Sequence, residues 1–164
     1  MKSILIKCIV WVSVVFCMAL IFHLSHEPAE KSNETSANVI STTLKTISPR
    51  YNRMTADEQE SLVNTLQSSV RTFSHFSLFC MLGFTLSLAL SLHALKTPLR
   101  IFITLSGCLL YAVLDEFHQY FIPGRAQQIV DVLVDFTGSI TGMLLVFVLF
   151  VIIRSVSAKK KRTA

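Results

Sequence analysis

Four uninterrupted apolar runs limit what this chain can become. They cover approximately Ile4–Leu24, Thr72–Leu95, Leu99–Phe117 and Ile129–Ile153. Each approaches or exceeds the roughly 20 helical residues that cross a hydrocarbon core of about 30 Å. A soluble core is the other destination for such runs. Four of them in 164 residues, 52% hydrophobic with a mean hydropathy of +0.57, exceed what one soluble core of this size takes up. A bilayer interior has no water to satisfy backbone amides, so each run must be a helix. The expectation is an all-α polytopic membrane protein, with four transmembrane helices in a compact bundle forming a single domain over residues 1–164.

The net charge of +5 reads as topology. Nine bases, Lys2, Lys7, Lys96, Arg100, Arg154, Lys159, Lys160, Lys161 and Arg162, flank the spans at ends that four crossings bring to one side. The positive-inside rule makes that side cytoplasmic, with both termini there and the protein multi-pass in the cell membrane. All ten acids then fall on the outer side or in the outer ends of spans. The run Ala158–Arg162 reads as an anchor to anionic headgroups, and no nucleic-acid partner is needed to explain it. The basic, apolar start is read as an uncleaved helix, because FHLSHEP follows it without a small-x-small cleavage pattern. Cys8, Cys17, Cys80 and Cys108 lie inside spans with no CxxC spacing, which predicts free, buried thiols packing as small hydrophobes.

Residues 25–70 turn polar and form the extracytoplasmic loop. Within it Val39, Ile40, Thr43, Leu44 and Ile47 recur near a 3.6 period, and Pro49 with the RYNR stretch ends the pattern. Thr55-Ala56-Asp57-Glu58 has the form of a capping box. Beyond it Leu62, Leu66, Val70 and Phe73 make an apolar stripe that enters the second span without a breaker. Two amphipathic helices, lying along the bilayer or capping the bundle, are expected.

Ionisable residues near lipid are costly, so those in Asp115–Gly142 demand a reason. Asp115, Glu116, His118 and Gln119 occupy little more than one turn at the outer end of span three, and Asp115 can share a face with His118 and Gln119. Ile122-Pro123-Gly124-Arg125 has the form of a type II turn, which holds Arg125 at the return point. Asp131, Asp135, Gly138 and Gly142 then fall on one stripe of span four. The two glycines form a GxxxG pattern, so this stripe is where another helix approaches, and the two acids point into the bundle. Arg71 and His75, one turn apart at the outer end of span two, and Arg125 are the cations on that side. Gly83 is a second candidate for close helix approach, and His93 reads as an interfacial residue at the inner end.

These residues resemble the VanZ-like family, named for a teicoplanin-resistance membrane protein. The resemblance rests on LSHEP after span one, His75-Phe76 through Leu82-Gly83 in span two, Asp115-Glu116 through Gln119 to Gly124-Arg125, and Asp131 through Asp135 to Gly138 and Gly142. It covers nearly the whole chain. Where the family often carries an acid and a tyrosine in span two, this chain has Leu78 and Phe79. The resemblance implies a bacterial polytopic membrane protein linked to cell-envelope or glycopeptide tolerance, and implies no established reaction.

Three readings of the polar residues stand side by side. In the first, Arg71, His75 and Arg125 offer positive charge to an anionic group such as a lipid phosphate. The acids Asp115, Glu116, Asp131 and Asp135, with Gln119, hold those cations or take the amine of a glycopeptide. A groove accepts an acyl chain, and the partners are membrane lipids, a glycopeptide or a lipid-linked envelope precursor. In the second, those acids coordinate a divalent cation such as Mg²⁺ on a lipid pyrophosphate, with His75 as acid or base. In the third, the charges are structural staples of the bundle. No GxSxG, HExxH or Walker pattern selects a reaction class.

Overall fold

This computed structural model describes residues 2–125 and 128–162. Five α-helices contain most of them: α1 (Lys2–Ser25), α2 (Ala29–Ile47), α3 (Ala56–Ser91), α4 (Thr97–Gln119) and α5 (Ile129–Arg162). A single 3-10 turn, Tyr51–Arg53, lies between α2 and α3, and no strand occurs among the described residues. The helices α1, α3, α4 and α5 are each long and apolar enough to cross a membrane. The architecture is therefore the expected all-α, multi-pass one.

The main departure concerns α3. The outer apolar stripe and the second apolar run are one helix of 36 residues, roughly 54 Å long at 1.5 Å per residue. Its start is the capping box: Glu58 N–H donates to Thr55 Oγ1 at 3.4 Å, and Thr55 N–H donates to Glu58 Oε2 at 2.8 Å. No proline or glycine pair interrupts the helix after this cap, so the stripe and the span share one axis. Only α2 is a separate amphipathic helix. It opens at Ala29, well before the periodic residues, and packs Ile40 onto α3 through Tyr51 and Val63. At the other end α3 stops at Ser91 rather than near Leu95, and Pro98 sits in the first turn of α4. The basic tail continues α5 as helix to Arg162. The side chains of Lys2, Lys160, Lys161 and Arg162 lie outside the described residues.

The long α3 packs against each of the other four helices. Phe79, Leu82 and Ala89 of α3 meet Val14, Cys17 and Ile21 of α1 and Cys108 and Ala112 of α4 in the main core. Phe79 is fully buried and needs no polar partner. Cys17 and Cys108 are buried as expected, but Cys80 is only half-buried and Cys8 is exposed. Its position on α1 faces away from the other helices, where a membrane span meets lipid.

The most extensive contact joins α3 to α5. A Cβ at Gly83 would overlap the carbonyl of Ser139, one at Gly138 the Phe76 carbonyl, and one at Gly142 the Cys80 carbonyl. The two backbones therefore touch directly at three levels, as the GxxxG spacing predicts. Gly107, by contrast, has only the side chain of Leu86 at ordinary contact distance, 3.5 Å. Gly142→Ala should destabilise the protein by about 1–3 kcal/mol through overpacking, while Gly107→Ala should stay within about 0.5 kcal/mol. Thermal unfolding of the two variants in detergent checks the difference.

Candidate functional site

At one end of the bundle α1 and α4 finish, α5 begins and α3 passes through, so their polar residues meet. Asp115 is buried at the last turns of α4. Its Oδ2 accepts from Ser25 Oγ at 2.8 Å and from Gln119 Nε2 at 2.9 Å. Gln119 Nε2 also donates to Ser25 Oγ at 3.3 Å, closing a triangle between α1 and α4. A carboxylate removed from water needs such donors, and the i, i+4 spacing supplies one of them from its own helix.

Arg125 does not pair with an acid. Its Nη1 donates to Gln119 Oε1, its Nη2 to the Leu24 carbonyl and its Nε to the Glu27 carbonyl, all at 3.2 Å. The guanidinium thus caps the carbonyl end of α1, where helix dipole and unsatisfied oxygens favour a cation. The turn that presents it is type II, with Gly124 at φ +76° and Arg125 N–H bonded to the Ile122 carbonyl at 3.2 Å. Burial, followed by the like charge of Arg71, lowers the guanidinium below its ordinary value. An arginine remains charged even so.

Glu116 is also assigned locally. Its Oε1 accepts from the backbone N–H of Gln128 at 2.6 Å, just ahead of α5. This ties the end of α4 to the start of α5 with negative charge at a helix N-terminus. Among the four acids of this region, only Asp115 and Asp135 converge with His75. One donor atom from each lies within 4.8 Å of the others. The closest approach of His75 to Asp135 is 3.8 Å from Nδ1 to Oδ1, beyond hydrogen-bond range. Asp131 is half-buried one turn further out, and its side chain makes no hydrogen bond or ion pair among the described residues.

Two small cavities open beside this cluster. One, of about 110 Å³, is lined by Arg71, His75, Gln119, Gly124, Arg125, Gln128 and Asp131. The second, of about 140 Å³, shares Arg71, His75 and Arg125 and adds Leu24, Leu78 and small hydroxyl residues of α2. Arg71 has no carboxylate within ion-pair distance among the described residues. Glu27, on the wall of the second cavity, is already engaged by Lys31 at 3.0 Å.

The family model described as VanZ/LLP1 matches residues 10–152, which contain every one of these residues. The chain belongs to the VanZ/LLP1 family. No curated protein and no solved structure matches it. In this VanZ/LLP1 chain, six residues of the motifs behind the resemblance meet at the polar end: Ser25, His75, Asp115, Gln119, Arg125 and Asp135.

Two contacts are not evident from the sequence pattern. Ser25 donates to Asp115, and although the LSHEP motif contains Ser25, no spacing pairs it with that acid. Gln128 contributes only backbone, which no side-chain pattern reveals. His118, in turn, does not join the acids as its spacing allows. It stacks on Phe22 with centroids 4.6 Å apart and lies 3.2 Å from His26, Nε2 to Nδ1.

Because one planar guanidinium serves three acceptors, lysine cannot replace it. Arg125→Lys should lower stability by about 2 kcal/mol. The change is checked by thermal unfolding in detergent together with faster amide exchange over residues 120–125.

Proposed function

We propose that this protein binds the anionic headgroup of a lipid-linked or lipid-tailed envelope molecule at an outward-facing polar site. Arg71 is the observation that carries this reading. It lines both cavities, and no acid among the described residues neutralises it. A second guanidinium, Arg125, stands close enough to repel it, with its own N–H groups committed to fixed acceptors. Two like charges facing shared cavities favour an anion between them, and Arg suits phosphate oxygens in particular. The apolar Leu24 and Leu78 on the second cavity give an acyl chain a surface to leave along.

Orientation supports an outward-facing site. With Lys96, Arg100, Arg154 and Lys159 at the cytoplasmic ends of their helices, the end bearing Ser25, Asp115 and Asp131 faces outside. Membership of the VanZ/LLP1 family accords with a role at the envelope, in tolerance of a lipid-tailed glycopeptide such as teicoplanin. Capture or screening of the lipid-tailed molecule requires no bond to be made or broken.

The test uses Arg71→Gln, which removes charge without opening a core. Purified protein should bind a long-chain lipid phosphate at least about tenfold more tightly than the variant, and the preference should weaken with salt. Thermal unfolding should be the same for both. Equal binding of a neutral lipid of the same chain length, or unchanged phosphate binding by Arg71→Gln, overturns the reading. In bacteria expressing both forms at equal level, only the parent should raise teicoplanin tolerance.

A further inference from the structure

We infer that His75, Asp115 and Asp135 form a binding site for a borderline divalent metal ion of the Zn²⁺ or Co²⁺ class. Three helices supply the set, with one imidazole nitrogen and one carboxylate oxygen from each acid lying within 4.8 Å of one another. Asp115 and Asp135 are 4% and 3% exposed. Oδ1 of Asp135 is the independent sign of a missing partner. It is buried, it accepts no hydrogen bond among the described residues, and it lies 3.8 Å from His75 Nδ1.

Such an oxygen is costly to leave bare, and two buried acids this close oppose each other's ionisation. A cation removes both costs. No Lys or Arg lies within 4.0 Å of either acid among the described residues, and the one basic group that near Asp135 is His75, itself one of the three donors. Arg125 is held on Gln119 and two backbone carbonyls instead. Asp115 already has the outer-layer support that metal ligands require, from Ser25 and Gln119.

The donor chemistry selects the ion. One imidazole with two carboxylates suits borderline metals, whereas Ca²⁺ wants six or more oxygens and Mg²⁺ keeps much of its water. An ion bonded at about 2.1 Å draws tetrahedral donor atoms to about 3.4 Å apart, a contraction that small side-chain rotations supply. His75 lines both cavities, so a further ligand reaches the ion from there. The site goes beyond the lipid-binding reading and stands without it, since all three ligands come from this chain.

Tag-free protein in detergent, stripped with EDTA and dialysed against Zn²⁺ without added lipid, provides the test. It should retain about one Zn²⁺ per chain even in excess Mg²⁺, and Co²⁺ loading should give visible d–d absorption bands. His75→Gln and Asp135→Asn should each weaken Zn²⁺ binding by about 100-fold or more. The double variant His26→Ala/His118→Ala, which removes the neighbouring imidazole pair, should bind as the parent does. Zn²⁺ retained equally by His75→Gln and Asp135→Asn, or lost in the His26/His118 variant, overturns the site. If the ligand variants fail to fold, the parent's Co²⁺ spectrum decides: without d–d bands much more intense than those of Co²⁺ in the same buffer, there is no site. Failure here leaves lipid-phosphate binding through Arg71 untouched, because that is read from Arg71→Gln.

Discussion

The backbone contact between α3 and α5 is the constraint on which the polar end depends. Gly138 lies against the Phe76 carbonyl, and each of these residues is a near neighbour of a site residue. His75 precedes Phe76, and Asp135 sits one turn before Gly138. The distance between the two helices at that level therefore sets the distance between imidazole and carboxylate. Gly83 and Gly142 repeat the contact deeper in the bundle and fix the angle of approach. A methyl group at any of the three would separate the helices along much of their shared length. In lipid, where apolar surface gives no net drive to associate, such close packing is a main source of helix adhesion.

Around that contact the polar residues divide by task. Arg125 and Glu116 satisfy backbone groups at helix ends, the Leu24 carbonyl of α1 and the Glu27 carbonyl just beyond it in one case and the N–H before α5 in the other. Ser25 and Gln119 fix Asp115. These bonds draw α1, α4 and α5 together at one end without any long ion pair. They also leave the side chains of Arg71 and Asp131 and one oxygen of Asp135 without hydrogen-bond partners among the described residues, all close to the same cavities. A low-dielectric surround makes complete satisfaction the rule for buried polar groups, so the unpaired ones mark where a ligand has most to gain.

The part of the molecule beyond the apolar spans obeys the same logic. Because α3 continues far past the span, it offers α2 an apolar stripe to pack on, and Val63 and Tyr51 make a small second core there. The capping box at Thr55 starts this extension and the hydrophobic contacts of α2 hold it. The cavity walls contributed by Ser32, Thr35 and Ser36 depend on that packing.

The sequence by itself determined the number of apolar spans, the capping box, the type II turn and the glycine stripe, but not that the stripe after the cap and span two form one helix. Each is a local or periodic property: a residue's own helix fixes its face, and a short motif fixes its own backbone. It also located the polar residues at one end, because alternating spans bring those chain positions to one level. Only the tertiary structure decided which of them meet. Asp115, Asp135 and His75 converge, whereas Glu116 is drawn to Gln128, Arg125 to the end of α1, and His118 to His26 and Phe22. Periodicity states which face a side chain occupies. It does not state which neighbouring helix that face meets, or at what height along it. Those depend on how close α3 and α5 can come and on where the helix ends leave backbone groups to be satisfied.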